Sequence, residues 1–346
     1  MTPLLELRNV TKVYGGGMFG RGGGTVALEN MSLRIEENAS SIMAVVGESG
    51  SGKTTLKSLM MGFLAPTSGE VLYRGKDVRK LSRAEQLSFR REVQAIFQDP
   101  FAVYNPFYTV DHVLTVPIEK FQLAGNRAAA RELMEEALRG VGLRPEETLG
   151  RYPHQLSGGQ RQRIVVARAL LLKPRVIIAD EPVSMVDASL RATILESLRK
   201  LNQEYGISIV YITHDLATAY HVSDSAVVLY RGGTMEAGAA DTVISEPKHP
   251  YTRLLIDSIP WPDLDRKWGE DQVVASEGDK SAVGQGCRFA PRCPYVMPRC
   301  REQAPPLFRS GEQHAVSCYL FDGPTVSPEE LGGLVSAAGA QASQPA

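Results

Sequence analysis

The sequence predicts an α/β fold: a phosphate-loop core with an antiparallel β subdomain, an inserted helical subdomain and a small cysteine-bearing C-terminal extension. Three observations predict it. Gly47-Glu48-Ser49-Gly50-Ser51-Gly52-Lys53-Thr54 fits the pattern G-x-x-x-x-G-K-[ST] at every fixed position. Val176-Ile177-Ile178-Ala179 is a continuous apolar run, the mark of a strand buried on both faces of a parallel sheet. All four cysteines lie beyond residue 286.

Taken in order, Leu5 to Val10 and then Lys12-Val13-Tyr14 alternate like an edge strand, and Val26 to Ile35 alternates again as its antiparallel partner. Between them Gly15 to Gly24 reads as a flexible loop. Ile42 to Val46 is a short buried strand, the phosphate loop follows, and Thr55 to Met61 begins a helix. Gly69 to Gly75 and Val93 to Phe97 are further strands. Pro100, Asn105-Pro106 and Pro117 then break the chain. After them Ala130, Leu133, Met134, Ala137, Leu138 and Val141 form one apolar helical stripe. Gln160 to Leu172 is a helix stopped by Pro174, and Ile207 to Thr213 and Val227 to Tyr230 complete the core strands. The expected organisation is a nucleotide-binding domain over 1–245, with its helical subdomain at about 99–165, and an extension over 246–322. A tail over 323–346, rich in Ala, Gly, Ser, Gln and Pro, is expected to be disordered.

The bulk numbers narrow the function. With 38 Lys+Arg against 39 Asp+Glu the net charge is −1, which argues against a nucleic-acid partner. No stretch approaches the ~18 apolar residues of a membrane span, and Met1 to Leu7 lacks the pattern of a secretion signal. A cytoplasmic location is expected, where four cysteines are poor candidates for structural disulfides.

Strand, loop and helix together make a concave nest of backbone N–H groups at a helix N-terminus, suited to phosphates. In that reading Gly47, Ser49, Gly50, Ser51, Gly52, Lys53, Thr54 and Thr55 cradle the nucleotide, Lys53 reaches its terminal phosphates, and Thr54 ligates Mg²⁺. Three more strands end in candidate residues: Phe97 before Gln98, Ala179 before Asp180-Glu181, and Thr213 before His214. Ligands of open α/β sheets bind at the carboxyl ends of strands, so these residues are expected to converge. Asp180 is the expected Mg²⁺ carboxylate, Glu181 the base or water-positioning group, and His214 its orienting partner. Ser157-Gly158-Gly159-Gln160, before a helix, is a second anion-binding terminus, and one nucleotide needs only one per subunit.

With these motifs in this order, residues 4–245 resemble the ATP-binding-cassette family. The resemblance implies a cassette dimer in which Ser157, Gly158, Gly159 and Gln160 of one subunit cover the γ-phosphate held by the other. It implies that Gln98 is the switch-loop glutamine, contacting Mg²⁺ and linking the nucleotide to the transporter. By the same resemblance Ser184-Met185-Val186-Asp187 crosses the dimer interface, with Met-Val where the family more often has Ala-Leu, and Tyr14 stacks on adenine. His249-Pro250-Tyr251-Thr252-Arg253-Leu254-Leu255 with Ile259-Pro260 is similar to the tail of oligopeptide/dipeptide importer ATPases. Val93 to Phe101 and Arg151 to Gln155 are similar to the same branch, and to the subunit that pairs with a second, different ATPase.

That branch implies an ATPase driving import of small peptides, with oligosaccharides or nickel as alternatives. It implies two transmembrane permease subunits, an extracytoplasmic solute-binding protein, and a place at the cytoplasmic face of the membrane. A homodimer is the alternative to a heterodimer. The rivals are a soluble cassette ATPase acting on nucleic acid and a regulatory subunit that does not hydrolyse. The cysteines, spaced Cys287-x₅-Cys293-x₆-Cys300-x₁₇-Cys318, do not have ordinary zinc-ribbon spacing, and four thiolates suit zinc or an iron–sulfur cluster. The resemblance implies a [4Fe–4S] cluster; four free buried thiols are the alternative.

Overall fold

The computed structural model describes residues 2–15, 24–99, 101–259 and 285–342. The glycine-rich loop at 16–23, Pro100, Pro260 of the expected tail motif, and the last four residues of the tail lie outside them. The strands, in chain order, are β1 Leu5–Tyr14, β2 Thr25–Ile35, β3 Ile42–Val46, β4 Ser68–Tyr73, β5 Lys76–Asp77 and β6 Val93–Ile96. They continue as β7 Val176–Asp180, β8 Ser208–Thr213, β9 Ser225–Tyr230, β10 Gly233–Ala239, β11 Phe308–Gly311 and β12 His314–Val316. The chain falls into two compact units, one of residues 1–36, 43–77 and 213–346, the other of 37–42 and 78–212.

In the first unit β2, β1, β4 and β5 form an antiparallel sheet. The alternation expected of β1 and β2 sets their register: Leu5 faces Ile35, Leu7 faces Leu33 and Val10 faces Met31, all buried. Asn9 and Asn30 take up left-handed backbone where the register shifts, a conformation asparagine tolerates. A second sheet runs β11-β12-β10-β9-β3. Its β3 and β9 are parallel, Val46 beside Val228, and both are entirely buried. The extension is not a unit of its own. β12 pairs antiparallel with β10, Glu236 beside Val316, so the cysteine-bearing segment extends the sheet that carries the phosphate loop.

The tail also differs from expectation. Residues Pro328–Ala342 form a helix packed on β2, with Leu331, Leu334 and Val335 buried. Their i, i+3, i+4 spacing supplies an apolar stripe that the small-residue composition conceals.

In the second unit β6, β7 and β8 are parallel, with Ile96 beside Ala179 and Asp180 beside Ile212. That register brings the carboxyl ends of β6 and β7 to one edge. Around them lie the helices Arg83–Glu92, Asp111–Lys120, Arg127–Gly140, Gly158–Leu170 and Ala188–Tyr205. Pro117 sits inside a helix and does not break it. Burial of Val113, Leu114, Pro117 and Ile118 offsets the lost backbone bond, which costs about 3 kcal/mol. The helix expected from Gln160 begins two residues earlier, because Ser157 caps it.

Candidate functional site

β3 delivers the chain into the phosphate loop, and the helix Lys53–Met60 leaves it. Gly52, the residue before that helix, has φ +111, and a side chain there would meet the Ala27 carbonyl. Gly47 lies so near the Leu229 carbonyl that no Cβ fits. These two positions need glycine for the turn and for the close approach. Lys53 Nζ folds back to donate to the carbonyls of Gly47 at 2.5 Å and Glu48 at 2.9 Å. Ser51 N donates to Glu48 O at 3.1 Å, closing the turn. Ser51 Oγ is buried with no hydrogen-bond partner, an unmet polar atom inside the loop that suits a polar ligand. Ser49, Gly50 and Thr54 are exposed and Thr55 is half-buried. In the same unit Tyr14 ends β1, 44% exposed, with the Lys12 ammonium 5.4 Å from its ring centre. His214, exposed, directly follows β8.

In the second unit Gln98 Nε2 donates to Glu181 Oε2 at 2.8 Å. Asp180 closes β7 with its side chain buried. Glu181 follows with φ +45, a conformation that costs a non-glycine residue on the order of 1–3 kcal/mol. Its neighbours impose it. Glu181 N donates to Ile212 O at 2.8 Å, and Glu181 O accepts from Ser184 N at 3.1 Å and Ser184 Oγ at 3.0 Å.

Ser157 caps the helix Gly158–Leu170 reciprocally: its Oγ accepts from Gln160 N at 3.2 Å, and Gln160 Oε1 accepts from Ser157 N at 2.9 Å. Gly159 is buried, and a Cβ there would meet Leu190 Cδ1 at 2.6 Å, so the end of the half-buried Leu190 side chain lies against the bare backbone. Met185 is 56% exposed, and Asp187, also exposed, precedes the helix Ala188–Tyr205 without capping it through its side chain.

All four cysteines are free thiols and line one cavity of about 10 Å³, together with His249, Phe289 and Tyr295 among others. Burial pushes the Cys287 and Cys318 thiols up and the Cys293 thiol to about 11; the neighbouring thiols add to each shift. Among the described residues no group of three or more His, Cys, Asp or Glu side chains is arranged to hold a metal ion. The expected zinc or [4Fe–4S] ligands therefore share a cavity without forming a ready coordination sphere. His249 is almost fully buried and its imidazole is pushed down to about 4, mainly by burial, against the pull of Glu236. The Glu236 carboxylate accepts from His249 N at 3.0 Å, Lys248 N at 2.7 Å and His314 Nε2 at 2.7 Å.

Sequence reasoning missed what surrounds Glu48, a variable position of the loop pattern. Its carboxylate is bound by Arg292 and its N–H by Tyr251. Tyr251 stood inside a recognised tail motif, but Arg292 carried no local signal.

The ABC transporter family matches residues 28–184, and the family described as "Oligopeptide/dipeptide transporter, C-terminal region" matches 235–300. The chain is 41% identical over 320 residues to the probable peptide ABC transporter ATP-binding protein y4tS of Sinorhizobium fredii, covering 92% of this chain and 90% of that protein. It is 38% identical over 299 residues to the oligopeptide transport ATP-binding protein OppF of Salmonella typhimurium, covering 86% and 88%. A solved structure of the ATP-binding cassette MJ0796, a dimer in a post-hydrolysis state bound to ADP and Pi, matches with TM-score 0.59 and 32% identity. That match covers 68% of this chain and 98% of the cassette.

Proposed function

This chain belongs to the ABC transporter ATPases, in the branch with the oligopeptide/dipeptide C-terminal region, and from that we propose that it is the ATP-hydrolysing subunit powering import of small peptides. The observation that carries the reading is one sheet, β10-β9-β3, that bears both the phosphate loop and the start of the region matched by that branch's C-terminal family. No described helix is long and apolar enough to cross a membrane. The chain works with two permease subunits and an extracytoplasmic solute-binding protein, held peripherally at the cytoplasmic face of the membrane. Its cassette partner is a second, different ATPase.

ATP is the substrate. Lys53 and the amides of Gly47 to Thr55 take its phosphates, Thr54, Gln98 and Asp180 hold Mg²⁺, and Tyr14 stacks on the base. Mg²⁺ supplies charge neutralisation at the phosphates. Glu181 orients the attacking water and takes its proton, Gln98 holds that carboxylate, and His214 fixes the water in line. Ser157, Gly158, Gly159 and Gln160 of the facing cassette cover the γ-phosphate, and Asp187 lies at the seam. Since half of each site comes from the other cassette, activity depends on pairing. Cys287, Cys293, Cys300 and Cys318 would be the ligands of a [4Fe–4S] cluster, a reading supported by their common apolar cavity and soft donor chemistry. Holding it would require these thiols to give up their protons.

The experiment is ATP hydrolysis by the purified transporter in membranes, with and without loaded solute-binding protein. Stimulation by peptides is expected. Stimulation by an oligosaccharide or nickel alone would replace the substrate class, and full activity in a chain kept monomeric would remove the dimer mechanism.

A further inference from the structure

Glu48, the second residue of the phosphate loop, is held from three directions. Its N–H donates to Tyr251 Oη at 2.9 Å. Its carboxylate accepts two parallel bonds from Arg292, Nη1 to Oε2 at 2.8 Å and Nη2 to Oε1 at 3.0 Å. Its carbonyl accepts from Lys53 Nζ and Ser51 N, the first of these the group that meets phosphate. The first two restraints come from the cysteine-bearing segment and the helix Pro250–Asp257 ahead of it, not from the loop's own turn.

Both restraining side chains are themselves fixed. The Tyr251 ring is fully buried, 4.6 Å centre to centre from Tyr230 and 5.5 Å from Phe289. The Arg292 guanidinium lies 5.7 Å from the Tyr230 ring centre and 5.6 Å from that of Phe289. Tyr230 ends β9, the strand beside β3, so the ring cluster is anchored to the strand pair that delivers the loop. Tyr251 N donates to His249 Nδ1 at 2.9 Å, and His249 N is in turn held by buried Glu236. A bidentate guanidinium–carboxylate pair and a buried hydroxyl fix orientation as well as distance.

We propose that Tyr251 and Arg292 are positioning residues of the ATP site, locking Glu48 so that Lys53 and the loop amides are aimed at the phosphates before nucleotide arrives. The extension is thereby a working part of nucleotide binding, and Arg292, next to Cys293, ties the order of the thiol-lined segment to ATP affinity. The inference rests on the ATP-site reading and not on what the thiols hold.

The test is equilibrium binding of Mg-ATP to the full-length chain, with the folded fraction of each variant measured by circular dichroism at the same temperature. Tyr251→Phe removes one hydroxyl and keeps the buried ring; Arg292→Gln removes the charge, and Arg292→Lys keeps it without the fork. Tyr251→Phe and Arg292→Gln are each expected to raise the ATP Kd about 5- to 10-fold per folded molecule, with Arg292→Lys between Arg292→Gln and the parent. In a Glu48→Gln background the Arg292→Gln change is expected to add less than about twofold. Parental affinity in Tyr251→Phe and Arg292→Gln, with binding abolished by Lys53→Ala, would overturn the proposal while leaving the ATP site intact. An equal Arg292→Gln loss in the Glu48→Gln background would place Arg292's effect elsewhere and overturn it too. Binding that survives Lys53→Ala undiminished would instead sink the ATP-site reading beneath it.

Discussion

Gln98 Nε2 donates to Glu181 Oε2 at 2.8 Å, joining a residue two positions past β6 to the residue directly after β7. Neither side chain is held there by sequence proximity; the parallel register of the two strands brings them together.

The consequence for catalysis separates the two residues. Glu181→Gln removes the proton acceptor and is expected to lower kcat by about 10²- to 10⁴-fold while ATP binding persists. Gln98→Ala leaves the carboxylate in place but removes this hydrogen bond and one proposed Mg²⁺ ligand, so a loss of roughly tenfold in kcat is expected, with a weaker Mg-ATP affinity. Phosphate release from the intact transporter measures both. A Glu181→Gln variant that turns over near the parental rate would remove Glu181 from the mechanism.

Gly159 makes a second, purely steric prediction. A Cβ there would stand 2.6 Å from Leu190 Cδ1 and would push that side chain aside, so Gly159→Ala is expected to destabilise the chain by about 1 kcal/mol. Truncating the obstacle with Leu190→Ala in the same chain should recover part of that loss, because the new methyl occupies the space the leucine vacates. Thermal unfolding of the single and double variants decides it, and simple additivity would rule out the steric account.

These contacts show which features were legible. β3, β7 and β8 announced themselves as continuous apolar runs, and β1 and β2 as alternation, because burial on two faces or one writes itself into neighbouring residues. The phosphate loop was legible because its glycines answer local demands of turn and approach. The pairing of β12 with β10 was not legible: three residues, His314–Val316, join Glu236–Gly238 far earlier in the chain, and no local pattern encodes that partnership. Arg292 was hidden for the same reason, its partner Glu48 lying 244 residues away at a position the loop pattern leaves free. The tail misled because alanine and glycine dilute an apolar stripe that only Leu331, Leu334 and Val335 carry.

Buried His249 gives the chain an acid sensitivity. Its imidazole falls from the ordinary 6.5 to about 4 in the folded protein, chiefly because burial disfavours the charged form. Above pH 6.5 neither state carries the proton and nothing is lost. As pH falls from 6.5 towards 4 the unfolded chain gains a proton that the folded chain refuses, so stability declines by roughly 3 kcal/mol across that window. Unfolding midpoints from pH 7.5 to 4 are expected to fall less steeply in His249→Asn, whose side-chain oxygen can still accept from Tyr251 N. Parallel curves would place the acid sensitivity in other groups.

The thiol-lined cavity makes the last prediction, and the sign of its pKa shifts gives it shape. Burial holds Cys287, Cys293 and Cys318 protonated at neutral pH, so a thiophilic centre must expel protons to enter. Loading should therefore improve as pH rises through the range where the thiols ionise. Protein purified without oxygen is expected to show broad visible absorption with bound iron and sulfide, lost in Cys293→Ser and in Cys318→Ser. Reconstitution at pH 8.5 should fill the site faster than at pH 6.5. One zinc per chain without iron would replace the cluster with zinc as the centre these four cysteines would hold. A chain with neither metal, carrying four titratable thiols, would leave the cavity a purely structural core.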